Sequence, residues 1–160
     1  HLIDGTYELF RQHFGAARAR SSPGPLDATI GVLTSTLALI ESGATHLGVA
    51  TDHEILSFRN ELWSGYKTGE DLPEELIGQL PVLEDALQAL GVTVWPMIEH
   101  EADDAIGAAA VVADADTRVD QVFIVSPDKD LAQCVRGERV VFYDRKTRLT
   151  TGHDGVVEKF

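Results

Sequence analysis

Acidic residues recur at four points along the chain, each just after a short apolar stretch with the composition of a β-strand. These residues are Asp4, Asp52, the group Glu101, Asp103 and Asp104, and the pair Asp128 and Asp130. Each carboxylate raises the pKa of its neighbours, so this many anions are stable together only where cations neutralise them. Oxygen-rich sites select hard divalent ions, and the pattern therefore predicts two Mg²⁺ or Mn²⁺ ions.

Each of these acids, taken alone, has a simpler explanation. Asp often caps the helix that follows a strand, and Asp103 and Asp104 are favoured near a helix N-terminus by the helix dipole. Capping explains four successive strand ends less well than metal binding does. Two metals about 4 Å apart suit phosphodiester hydrolysis, in which one activates water and the other stabilises the leaving oxygen.

Basic and aromatic side chains follow the Asp52 strand at helical spacing. Arg59, Trp63 and Lys67 lie four residues apart, and Tyr66 is adjacent. On a continuous helix they form one stripe, which can hold a phosphate and stack a base. The alternative is that Trp63 belongs to the core and Arg59 pairs with a surface acid.

An alternation of predicted strands and helices must position these residues. Strands are predicted at residues 1–3, 45–51, 92–95, 121–125 and 139–143, with a further pairing segment at 149–151. Helices are predicted at residues 7–14, 26–42, 54–66, 74–90 with a kink at Pro81, 101–113, 129–135 and 154–160. Residues 15–25 are predicted to be a loop and 68–73 a polar break. The order predicts one α/β domain with a mostly parallel sheet, helices on both faces, and the acids together at the carboxyl edge.

The composition limits the classes of protein that fit. In 160 residues there are 13 Lys and Arg against 26 Asp and Glu, a net charge of −13. This charge excludes a protein that grips nucleic acid by its overall field, but not an enzyme that meets phosphates through bound cations. No apolar run reaches the ~18 residues of a membrane span and no signal-peptide pattern is present, so we expect a cytoplasmic location. Cys134 is expected to be a core thiol, and His46, His53 and His100 surface or packing residues.

The motifs together resemble a known family. They are Leu2-Ile3-Asp4-Gly5, Thr51-Asp52, Phe58-Arg59-x-Glu61-Leu62 through Tyr66-Lys67, Glu101-Ala102-Asp103-Asp104-x-Ile106-Gly107 and Asp128-Lys129-Asp130. In this order they resemble the 5′-nuclease domain of bacterial DNA polymerase I and its stand-alone flap endonuclease relatives. The resemblance extends through nearly all of the chain.

This resemblance implies a three-layer, PIN-like α/β core that hydrolyses 5′ flaps and duplex 5′ ends of DNA with two divalent metals. By position, Asp4, Asp52, Glu101, Asp103 and Asp104 match the family's first metal group, and Asp128 and Asp130 match the second. Its phosphate-clamping and DNA-contacting residues are matched by Arg11, Arg59, Tyr66 and Lys67, of which Arg59 and Lys67 are the catalytic candidates.

The chain differs from the family pattern at its end and after Lys67. Residues 156–160 resemble the entry to the family's helix-hairpin region, so we expect the chain to stop before that region. Glu70 stands where a basic residue is usual. A non-catalytic DNA or protein interaction module on the same fold is therefore an alternative. A PIN-type ribonuclease is another, because the same α/β core and acid cluster would cut RNA.

Overall fold

The computed structural model describes residues 1–19, 24–63, 65–67, 69 and 72–159. The strands are β1 (Leu2–Asp4), β2 (Gly48–Asp52), β3 (Thr93–Met97), β4 (Val122–Val125), β5 (Val140–Tyr143) and β6 (Thr150–Thr151). The helices are α1 (Gly5–Ala19), α2 (Asp27–Glu41), α3 (Phe58–Leu62), α4 (Glu74–Ile77), α5 (Leu80–Ala89), α6 (Ala102–Ala115) and α7 (His153–Lys159), and a 3-10 helix spans Lys129–Cys134. None of the helices in these ranges is long and apolar enough to cross a membrane.

The strands form one sheet in the order β3-β2-β1-β4-β5-β6. The first five strands pair in parallel, and β6 pairs antiparallel with β5. The prediction of a mostly parallel α/β sheet is therefore confirmed. From β1 the chain adds β2 and β3 on one side of the sheet and then β4 and β5 on the other, so the order of strand addition reverses between β1 and β4. In open α/β sheets, ligands bind in the crevice beside such a switch point.

Helices cover both faces of the sheet because successive strand residues point to opposite sides. One core cluster contains Ile3, Val49 and Val125 together with buried residues of α1, α2, α4 and α5. The other contains Leu2, Ala50 and Ile124 together with the buried face of α6. Burying each large apolar side chain contributes about 1.5–3 kcal/mol. Cys134 packs against the second cluster, as expected of a core thiol.

The helix predicted over residues 54–66 is wrong in its extent, because α3 covers only Phe58–Leu62. It begins late because Ser57 caps it reciprocally with Asn60. It ends early because Trp63 is extended, with φ −149° and ψ 106°. Gly65, which has poor helix propensity, follows within two residues. Tyr66 and Lys67 therefore follow α3 in a turn.

The helix predicted over residues 74–90 is two helices. Its first part ends at Ile77, and Pro81 lies in the first turn of α5. Proline is tolerated there because its missing N–H has no partner in the first turn of any helix. The loop predicted from residue 15 is also corrected, because α1 continues to Ala19, while residues 20–23 lie outside the described part of the chain.

Candidate active site at the carboxyl edge of the sheet

The predicted acids stand where the parallel strands end. Asp4 is the last residue of β1 and Asp52 the last residue of β2. Glu101 is the N-cap of α6, and Asp103 lies in the first turn of that helix. Asp128 caps the 3-10 helix after β4. Sheet topology therefore delivers all of these side chains to the same edge.

Asp103 is the carboxylate whose electrostatic surroundings depend most on the other acids. Burial raises its pKa most, and the charges of Asp4, Asp128, Asp52 and Glu101 raise it further, to about 7. The pKa of Asp4 is raised to about 6, mainly by burial, and Asp52 adds to the shift. Burial and neighbouring negative charge act in the same direction here, and carboxyl groups with raised pKa values of this kind cluster at functional sites.

Backbone and hydroxyl donors hold the two strand-end aspartates in place. Asp4 accepts a hydrogen bond of 2.8 Å from the Tyr7 backbone N–H and one of 3.2 Å from the Ser126 hydroxyl. Asp52 accepts a hydrogen bond of 2.7 Å from the Ala102 N–H. The last contact joins the end of β2 to the start of α6. The Tyr7 contact is local, three residues from Asp4, whereas the sequence did not reveal Ser126 as a supporting residue because its partner is known only once β1 and β4 are paired.

Lys67 lies between two of the carboxylates. Its Nζ is 3.1 Å from Asp52 Oδ2 and 4.0 Å from Glu101 Oε2. Burial lowers the pKa of Lys67, but the two neighbouring carboxylates outweigh burial and raise it. The Tyr66 hydroxyl donates to Glu101 Oε2 at 3.2 Å, and the Ser57 hydroxyl donates to Glu101 Oε1 at 2.6 Å. The structure thus brings Tyr66 and Lys67 to the acids, by a turn and not by a helical stripe.

Arg59 and Asp104 form a separate pair at the edge of this cluster. The guanidinium donates two hydrogen bonds of 2.8 Å to the two oxygens of Asp104, and its Nη1 is 3.7 Å from Glu101 Oε1. The pair lowers the pKa of Asp104, chiefly through these hydrogen bonds. Asp104 also accepts from the Glu101 N–H at 2.9 Å, so it caps α6. Its role as a metal ligand stays a prediction.

The remaining residues singled out in the sequence have other surroundings or lie outside the described part of the chain. Asp130 is exposed in the first turn of the 3-10 helix. Arg11 pairs with Glu8 on α1, with Nη2 2.6 Å from Glu8 Oε2. Trp63 is 65% exposed and is not a core residue, and its ring centroid is 6.4 Å from that of Tyr66. Glu70 lies outside the described residues.

The donors at this edge have the chemistry that hard divalent cations require, since they are carboxylate oxygens. Among the described residues, however, no group of three or more His, Cys, Asp or Glu side chains is arranged to hold a metal ion. Lys67, Tyr66 and Ser57 already engage oxygens of Asp52 and Glu101. The donor type fits Mg²⁺ or Mn²⁺, and binding would require these side chains to turn.

A buried acid of α5 supports this edge of the sheet. It was not among the candidate residues of the sequence. Glu84 of α5 is 4% exposed, accepts a hydrogen bond of 2.6 Å from the Thr51 hydroxyl, and lies 2.7 Å from His53 Nδ1. It anchors the residues on both sides of Asp52 to α5, and His53 is a packing residue, as expected. The available signal was an acid on the apolar face of a helix, among Leu80, Leu83 and Leu87.

Comparison with known proteins relates this chain to a family. Residues 1–160 match the 5′-3′ exonuclease, N-terminal resolvase-like domain. DNA polymerase I of Mycobacterium leprae is 32% identical over 169 residues, which cover 99% of this chain and 18% of the polymerase. The chain therefore spans less than a fifth of the length of this relative.

Two solved structures have the same fold. The T5 D15 protein co-crystallized with metal ions has a TM-score of 0.69 and 18% identity, covering 99% of this chain and 59% of that one. Bacteriophage T5 D15 flap endonuclease in a pseudo-enzyme-product complex with DNA and metal ions has a TM-score of 0.67 and 23% identity, with the same coverage. At this level of identity the likeness shows the fold alone.

Proposed function

This chain belongs to the 5′-3′ exonuclease, N-terminal resolvase-like domain family, and on that basis we propose that it hydrolyses phosphodiester bonds of DNA at 5′ ends or flaps with two divalent cations. A DNA polymerase I relative and a flap endonuclease fold neighbour that was crystallised with DNA and metal ions support the substrate class. The proposal includes a cytoplasmic location, because the proposed substrate is DNA.

The observation that carries the proposal is the group of carboxylates around Asp103, whose charges add to the effect of burial in raising the pKa of that group to about 7. The residues proposed to hold the cations are Asp4, Asp52, Glu101, Asp103 and Asp104 for the first and Asp128 and Asp130 for the second. When bound, such cations lower the pKa of water and neutralise charge on the leaving oxygen. Burial is the larger cause of this shift, and the part that supports a cation site is the further rise due to the charges of Asp4, Asp128, Asp52 and Glu101.

The basic side chains are proposed to handle the phosphate. Lys67 and Arg59 both lie within 4.0 Å of Glu101, so their charges stand beside the position where a phosphate would approach the acids. Preorganised cations at such a place stabilise charge that develops in the transition state. Tyr66 offers a ring on which a base can stack, although its hydroxyl is engaged by Glu101.

A second candidate is a non-catalytic DNA or protein interaction module on the same fold. It is favoured by one observation: in the described part of the chain the acids are not arranged to hold a metal ion. The ion pairs made by Lys67 and Arg59 stabilise such an arrangement without any metal.

Cleavage of a 5′-labelled flap DNA separates these candidates. The protein should release product with Mg²⁺ or Mn²⁺ and none with EDTA, and Asp128→Ala should abolish cleavage. A matched control is Asp116→Ala, which removes a carboxylate from the far end of α6. If the parent protein shows no metal-dependent cleavage, the result favours the non-catalytic interaction module. If the protein prefers an RNA strand of the same sequence, the result favours a PIN-type ribonuclease.

A further inference from the structure

A second concave site lies beside the carboxylate cluster, on the side of β4 and β5. It is a cavity of about 340 Å³ between α1, the ends of β4 and β5, and α7. That volume lies within the range of ~300–1,000 Å³ typical of small-molecule sites. Tyr7 and Ser126 line the cavity and also hydrogen-bond to Asp4. A ligand in the cavity would therefore be a direct neighbour of the acids.

The inner wall of the cavity is a buried carboxylate that holds two guanidinium groups. Glu8 is 3% exposed, and its Oε2 is 2.6 Å from Arg11 Nη2 and 3.0 Å from Arg145 Nη1. One carboxylate orients both arginines but neutralises only one of their charges. Each guanidinium has five N–H donors, so donors remain for a ligand after the contacts to Glu8.

The rim of the cavity adds further positive charge. Lys146 and Lys159 line it, and Lys146 is exposed. The carboxylate of Asp144 accepts the backbone N–H groups of Lys146 and Thr147 at 2.7 and 3.0 Å, so part of its charge is engaged in the turn between β5 and β6. Among the described residues that line the cavity, cationic side chains outnumber carboxylates by two. In a chain with a net charge of −13, a local excess of positive charge indicates an anionic ligand.

We propose that this cavity binds a phosphate group of DNA next to the carboxylate cluster, an inference that rests on the function proposed above. Paired guanidinium groups match the geometry of phosphate oxygens. Tyr7 and Tyr143 supply aromatic walls against which a sugar or base can lie. A terminal phosphate monoester and an internal phosphodiester share this chemistry.

Binding of single-stranded DNA in EDTA tests the cavity separately from cleavage. Fluorescence anisotropy would compare one oligonucleotide with and without a 5′-phosphate across a series of salt concentrations. The variants are Arg145→Ala, which removes one of the two partners of Glu8, and Lys146→Ala. Lys146 is exposed, and its removal leaves both ion pairs of Glu8 intact. The control is Arg118→Ala, which removes an exposed cation that is paired with Asp116 and precedes β4, at the opposite edge of the sheet.

Each cavity variant should weaken binding severalfold and reduce the slope of log affinity against log salt by about 0.7, the value for one phosphate contact on a single strand. A loss confined to the 5′-phosphorylated strand assigns a terminal phosphate, and an equal loss on both strands assigns an internal one. The proposal is overturned if both variants bind as Arg118→Ala does, or if the parent protein does not bind in EDTA. If the parent protein cleaves DNA but the cavity variants bind DNA normally, the cavity proposal fails and the proposed nuclease function stands. If the parent protein does not cleave DNA but the cavity variants bind DNA more weakly, the nuclease function fails and the cavity proposal stands.

Discussion

Asp103 and Asp104 are adjacent in the first turn of α6, yet the fold gives their carboxylates opposite electrostatic surroundings. Burial and four neighbouring acids raise the pKa of Asp103 to about 7, whereas Arg59 lowers the pKa of Asp104. Ionised Asp103 therefore opposes folding and ionised Asp104 supports it. We expect Asp103→Asn to stabilise the protein in EDTA and Asp104→Asn to destabilise it.

The size of each effect follows from the contacts. The pKa of Asp103 is about three units above its ordinary value of 3.8, which corresponds to an upper bound of about 4 kcal/mol. Because Asp103 is only partly buried, solvent screening reduces the expected gain to about 1–2 kcal/mol. Asp104→Asn loses charge-assisted hydrogen bonds to Arg59, a cost of about 1–2 kcal/mol, while its remaining oxygen can still accept from the Glu101 N–H.

The pH dependence gives the sharper test. Below pH 3.8 the carboxyl group of Asp103 is protonated in both the folded and the unfolded state, so the substitution to Asn changes little. Between pH 3.8 and about 7 the unfolded chain ionises Asp103 while the folded protein retains the proton, so the parent loses stability as pH rises. The gain from Asp103→Asn should therefore grow over this interval and be complete above pH 7. The contribution of Asp104 is present at neutral pH and is lost on acidification, because its folded pKa is lowered.

Urea unfolding followed by tryptophan fluorescence, at pH 4.5 and pH 8 in EDTA, would measure both variants. If thermal unfolding is used instead of urea, a change of 1 kcal/mol in the free energy of unfolding shifts Tm by about 2–4 °C in a chain of this size. The reasoning fails if Asp103→Asn destabilises the protein at pH 8, or if its gain is equal at the two pH values. For Asp104, the reasoning fails if Asp104→Asn leaves the free energy of unfolding unchanged at pH 8.

Three further predictions concern catalysis, metal binding and the support beneath the site. Lys67→Ala should slow single-turnover cleavage by about 10²–10³ with a smaller loss of DNA affinity, and an unchanged rate at saturating protein would remove Lys67 from catalysis. Mg²⁺ at 100 times its Kd should stabilise the parent by about 2.7 kcal/mol in a thermal shift, and an equal shift in Asp103→Asn would argue against that residue as a ligand. Glu84→Ala should cost about 2–3 kcal/mol in urea unfolding because the Thr51 hydroxyl and His53 lose their partner, and a cost under half of that would mean that water replaces the carboxylate.

The mostly parallel α/β character of the sheet could be read from the sequence because its signals are local. Each strand is a short run of apolar or β-branched residues, and the alternation with helices implies parallel pairing. Once the strands are parallel, the acids that follow them must meet at one edge, as Asp4, Asp52 and Asp128 do around Asp103. The end of α2 is local as well, because Gly43, with φ +101°, follows it and terminates the helix predicted over residues 26–42.

Helix limits in the segment after β2 could not be read in the same way. Residues 54–66 have an amphipathic pattern, but Ser57 hydrogen-bonds to Glu101, a residue 44 positions away, and helps to set where α3 begins. The position of Lys67 likewise depends on its contacts with acids from β2 and α6. A periodic pattern carries no information about such partners, because tertiary contacts outweigh the small differences in helix propensity.

The choice of partner for each charge was decided by the tertiary structure alone. Asp103 and Asp104 have identical side chains, and only the rotation of about 100° per helical residue turns one toward the acids and the other toward Arg59. Glu8 meets Arg145 across 137 positions of sequence, and neither residue stood out beforehand. The sequence by itself determined that the acids following the strands reach the carboxyl edge of the sheet, since parallel pairing and the positions of the strand ends suffice for that. Which of those groups neutralise one another depends on distances of a few ångströms between distant segments, and such distances exist only in the folded chain.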